Sequence, residues 1–122
     1  MELVIQEKMW NINKDSYKTN RLLDENDKMC CLGFYCNQIQ DKSRSSLFSK
    51  EMPSHVGVTI FDSLLLDEED KKKYNGFSHY VVHILAVLND NTDRIPKISF
   101  QKRKREIKRL FKKYLNLDVV YV

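Results

Sequence analysis

A chain of 122 residues supplies one ordinary domain and too little material for a second hydrophobic core. With 42% apolar and 31% charged residues, three glycines and two prolines, its composition excludes disordered and linker-rich classes. The net charge of +4 hides an asymmetry: from Lys97 to Lys113 nine basic residues face one acid, a local balance of +8, whereas the other 12 basic and 16 acidic residues come to −4. Such a distribution speaks about partners, not about fold.

No apolar run approaches the ~18 residues a membrane span needs. Met1 to Lys8 lacks the basic-then-apolar order of a secretory signal. An odd cysteine count, with Cys30 and Cys31 adjacent, argues against a disulfide framework and for a reducing compartment.

In chain order, Leu3 to Ile5 begins a short β-prone run with Trp10 behind it, and Tyr17 to Leu23 is a second candidate strand. The turn-rich stretch Asp24 to Asp27 follows. Cys30 to Ile39 places Leu32, Tyr35, Cys36 and Ile39 at helical spacing and predicts a buried helix. Asp41 to Ser46 reads as a polar loop, and Met52-Pro53 as a break. Phe61 to Tyr74 contains a short helix capped by Asp62 or Ser63, with Lys71, Lys72 and Lys73 complementing its negative pole and Asn75-Gly76 turning the chain out. Ser78 to Leu88 is apolar nearly all round, which predicts the central buried helix, and Asn89-Asp90 at its end reads as turn chemistry.

The last helix has the clearest pattern. Ile107, Leu110, Phe111, Tyr114 and Leu115 form one stripe, Asn116 suits a left-handed exit, and Leu117 to Val122 is a terminal strand. That strand needs partners, and the early strands are the natural ones. The expected fold is a single α+β domain over residues 1–122, a small antiparallel or mixed sheet from N-terminal strands and the C-terminal strand, covered by three to four helices.

Several of these segments carry a resemblance. Trp10, Leu22 to Asp27, Cys30 to Cys36 (Cys-Cys-Leu-Gly-Phe-Tyr-Cys), Asn89-Asp90, Arg105-Glu106 to Leu115, and Val119 to Val122 resemble a diffuse family of small phage and prophage proteins with a Cys-Cys-Leu-Gly-(Phe/Val)-x-Cys segment. The stretch from about Lys42 to Phe77 lies outside the resemblance, and Asp27 stands where glycine is more usual. The resemblance implies phage origin, the host cytoplasm as location and an accessory role, such as interference with host defence or metabolism. It implies no catalytic residues.

His79 and His83, four apart, would share a helix face and with Cys36 make weak zinc candidates. Adjacent cysteines diverge on a helix and no Cys-x₂-Cys is present, so the thiols read as small buried hydrophobes. No phosphate-binding glycine loop, hydrolase elbow or kinase motif occurs, so binding without turnover is expected, and no cofactor.

The basic helix is the remaining feature. Lys102, Arg105, Lys108, Arg109, Lys112 and Lys113 lie opposite the apolar stripe, as a solvated face would, whereas Arg103 and Lys104 fall on its flanks. If Ser99 caps the helix, Lys102, Arg103 and Lys104 crowd its positive end, each at a cost of about 0.3–1 kcal/mol where exposed. A helix starting near Pro96 would place the same cations in its interior. The first case predicts an anion site from Ser99, Lys102, Arg103, Lys104, Arg105 and Arg109, taking an anionic small molecule such as a nucleotide, or an acidic host protein. The alternatives are a nucleic-acid-binding regulator using the whole basic face, and a protein–protein module in which Val119 to Val122 pairs at a sheet edge, as in a homodimer.

Overall fold

The two ends of the chain meet in the sheet. In this structure, a computed structural model, residues 1–12, 21–74, 77–90 and 98–122 are described. Strand β1 (Glu2–Ile5) lies parallel to β2 (Asp118–Tyr121), with Leu3 opposite Val119 and Ile5 opposite Tyr121. Alternation buries Leu3, Ile5 and Val119 and leaves Glu2 and Asp118 in solvent. The sheet has two strands among the described residues, so the expected α+β class stands but the antiparallel option does not. A parallel pair needs a long crossover, and here nearly the whole chain supplies it. Gln38 covers the other edge of β1: its side chain accepts from the Val4 amide at 2.9 Å and donates to the Val4 carbonyl at 2.6 Å.

Most of the second predicted strand lies outside the described residues. In the part described, Leu23 forms only an isolated bridge with Phe48.

Among the described residues five α-helices are present: α1 (Cys31–Gln38), α2 (Arg44–Leu47), α3 (Glu68–Lys73), α4 (Val81–Asp90) and α5 (Phe100–Leu115). The one beyond expectation is α2, a single turn in what reads as a polar loop. Ser43 caps it by accepting from the Ser46 amide, and Leu47, fully buried, anchors it. The predicted caps Asp62 and Ser63 instead lie in a 3₁₀ turn, and α3 starts after Asp67, whose carboxylate accepts from the Asp70 amide at 3.0 Å. The reason is tertiary. Leu64 and Leu66 hydrogen-bond across to Val81 and His79, at 3.1 and 2.8 Å, holding that segment extended. The same bridge delays the start of α4 from Ser78 to Val81. Lys71, Lys72 and Lys73 end α3 as expected, and Asn75-Gly76 lies outside the described residues.

The core gathers on α1 and α4, with α5 and the sheet closing it. Gly33 allows the closest approach in it. A Cβ there would sit 2.0 Å from the Leu22 carbonyl oxygen, so the glycine of the Cys-Cys-Leu-Gly segment lets the Leu22 backbone lie directly on α1.

Candidate anion-binding face

Of the two helix starts left open by the sequence, after Ser99 or near Pro96, α5 takes the first. Ser99 has extended backbone and its hydroxyl accepts from the Lys102 amide at 3.2 Å, and Asn116 leaves the helix at φ 54°. Ile107, Leu110 and Phe111 are completely buried, and Tyr114 and Leu115 half-buried, so the apolar stripe is the inner face. Burial of the three alone contributes about 5–9 kcal/mol before entropy is subtracted. The outer face carries Gln101, Lys102, Arg105, Lys108 and Lys112, all exposed.

The six residues of the predicted tip site do not converge. Arg103 is turned inward and only 1% exposed: its guanidinium donates to the carbonyls of Leu88 at 2.9 Å and Asn89 at 3.4 Å, closing the C-terminal end of α4. Lys104 pairs with Glu7 at 2.7 Å and lies over the Tyr121 ring, 4.6 Å from its centre. Ser99 is committed to capping. Arg109 is held by Asp70 and Glu106, each at 2.8 Å. Of the six, Ser99, Lys102 and Arg105 are exposed, and only the last two are cations left facing solvent. The flank position of Arg103 and Lys104, which suggested a ligand, reflects instead a buried helix end and the protein's own carboxylate.

Beside this face α3 and α5 are locked by a charge cluster. Asp70, 2% exposed, accepts from Arg109, from Lys113 at 3.0 Å and from the Tyr114 hydroxyl at 2.7 Å. Burial opposes its charge, but these donors outweigh it and hold its carboxyl down at about 2. Glu106 takes Arg109, the Tyr74 hydroxyl and Lys73, and for the same balance of causes also lies at about 2. Lys113 further bridges to Asp67 at 2.7 Å.

What remains is a stripe of unmatched cations. Lys102, Arg105 and Lys108 have no carboxylate partner among the described residues, and Lys112 has only Asp118 at 3.2 Å, both about half exposed. A shallow groove of about 440 Å³ runs here, lined by Arg105, Lys108, Arg109, Lys112, Lys113 and Asp118. Lys108 and Lys112 were outside the predicted tip site. Their place opposite the apolar stripe was legible, but it also fits a plain solvated face.

The cysteine and histidine candidates do not assemble into a centre. Cys30, Cys31 and Cys36 are buried free thiols. Burial pushes Cys30 and Cys36 up to about 12 and raises Cys31 well above the ordinary thiol range, so none is a ready nucleophile. His79 precedes α4 and so does not share a helix face with His83. The His83 ring meets the Ser78 hydroxyl at 2.7 Å, and Cys36 is fully buried in α1. Among the described residues no three His, Cys, Asp or Glu side chains are grouped to hold a metal ion.

Asn89 also departs from its turn reading. It lies inside α4, 1% exposed, and its side-chain oxygen accepts from the Trp10 indole at 2.7 Å and the Cys31 amide at 3.0 Å. It thereby caps α1, whose N-cap residue Cys30 makes no side-chain capping bond. Trp10, Cys31 and Asn89, far apart in sequence, thus share one buried hydrogen-bonded junction. No family model, curated protein or solved structure matches the chain. No helix among the described residues is long and apolar enough to cross a membrane.

Proposed function

We propose that this chain is a phage-type accessory protein that works by stoichiometric binding, holding an extended anionic partner along the exposed face of α5. The accessory setting rests on the motif resemblance, and the binding face on charge placement. One observation carries the reading: Lys102, Arg105 and Lys108 follow one another without a carboxylate partner among the described residues, while the neighbouring Lys104, Arg109 and Lys113 all have one. Cations three or four apart on a helix repel by about 0.2–0.5 kcal/mol per pair, and a cation in the first turn opposes the dipole. A local arrangement that works against the fold, where the same helix matches its other charges, is where function is expected.

Elution from heparin-agarose tests this. The Arg105→Ala/Lys108→Ala protein should elute at clearly lower salt than the parent, and a Lys50→Ala/Lys72→Ala control, at exposed positions elsewhere, close to the parent. Equal elution of the parent and the Arg105→Ala/Lys108→Ala protein overturns the proposal.

A further inference from the structure

We infer that the partner of the α5 face is duplex nucleic acid, gripped through its phosphate backbone without regard to sequence; the inference rests on the anion-binding reading above and specifies it. Three observations select a duplex. The exposed face of α5 carries only polar and charged residues: the large exposed hydrophobics, Met1, Phe48, Ile60, Leu65, Tyr80 and Val122, all lie on other segments. A protein partner needs a dry apolar centre with aromatic or aliphatic anchors inside the polar rim, and this face offers rim alone. A phosphate backbone needs only cations.

Single strands are disfavoured by the aromatic residues of α5. Binding them relies on rings on which bases stack. Phe111 is fully buried, the Tyr114 hydroxyl is tied to Asp70, and Phe100 packs on Trp10 with ring centres 6.2 Å apart, so none stands among the outer cations. A small anion is disfavoured because Arg103 and Lys104, which would have closed a pocket around it, are engaged inside the protein.

The dimensions suit a rod of charge. At 1.5 Å rise per residue, Lys102 to Lys112 spans about 15 Å, and duplex DNA carries one charge per about 1.7 Å of axis. Lys102, Arg105, Lys108 and Lys112 therefore meet three or four phosphates without any change of shape. The balance of −4 outside the basic segment turns the rest of the molecule away from the polyanion, which orients the encounter.

The test is fluorescence anisotropy of the full chain with a labelled duplex of about 20 base pairs, made as DNA and as RNA, beside a single strand of equal length and poly-glutamate. The duplex should bind best, with log affinity falling against log salt at a slope of about −2.7 to −3.6, and a scrambled duplex should bind equally. Lys108→Ala should lower affinity roughly fivefold to tenfold at 0.1 M salt and make the slope shallower by about 0.9. Its far-ultraviolet spectrum and melting should match the parent, since Lys108 is exposed. Tighter binding to poly-glutamate or to the single strand overturns the duplex while leaving an anion-binding face. Binding to none of these polyanions removes both readings. DNA and RNA duplexes binding unequally would fix which backbone is preferred within the proposal.

Discussion

Arg103 reaches from α5 to the backbone carbonyl of Leu88 at 2.9 Å, so a cation of one helix closes the end of another. This gives a basic residue in a crowded basic segment a purely structural task. Arg103→Ala should therefore destabilise the fold by about 3–5 kcal/mol, because buried carbonyls and the space around the guanidinium would be left without a partner. Lys102→Ala, at an exposed position, should stay within about 0.5 kcal/mol. Urea unfolding measures both. If Arg103→Ala kept full stability and lost anion binding, Arg103 would belong to a ligand site after all.

Gly33 offers a second stability test. A methyl group there meets the Leu22 carbonyl oxygen at 2.0 Å, so either that backbone or α1 must move. Since both belong to the packed core, Gly33→Ala should cost about 3 kcal/mol or more, the upper range of overpacking. A thermal melt unchanged from the parent would show that the two segments do not touch.

Much of this was legible locally, and the misses share one cause. The cap at Ser99, the apolar stripe and the exit at Asn116 are set by residues within α5 itself, and all three are found where the pattern places them. Asp62 and Asp67 offer comparable caps, and the choice falls to Asp67 through the distant Leu66–His79 hydrogen bond. The parallel sense of β1 and β2 depends on the path of the whole crossover, on which the four residues of either strand are silent. For the candidate site, charge placement singled out α5 but could not show that Arg103 and Lys104 are engaged within the protein: the carbonyls beneath Arg103 and the carboxylate beside Lys104 come from segments remote in sequence.

The three thiols should be inert in the folded protein. Cys30 and Cys36 are pushed up to about 12 by burial, and each is at most 4% exposed. Reaction needs thiolate and access, so at pH 8 a disulfide reagent such as dithionitrobenzoate should label none within minutes and all three once urea unfolds the chain. Rapid native labelling of even one cysteine would contradict the buried placement and reopen a chemical role for that residue.

The Asp70–Glu106 cluster predicts how stability responds to acid. Both carboxyls, ordinarily at 3.8 and 4.5, are held at about 2 in the folded protein. A depressed folded value means that the unfolded chain takes up protons first as the pH falls. The contribution is therefore complete above about pH 5 and drains away between there and about pH 2. Each carboxyl contributes on the order of 2–3 kcal/mol, and the two do not add, because Arg109 serves both. Stability by urea unfolding should thus be flat from pH 7 to 5 and fall steeply below. Asp70→Asn should lower stability at pH 7 and flatten the acid limb, since it leaves Arg109 and Lys113 facing an amide that takes up no proton as the pH falls. An acid limb as steep in Asp70→Asn as in the parent would mean that Glu106 or other carboxyls drive the loss and that Asp70 contributes little to it.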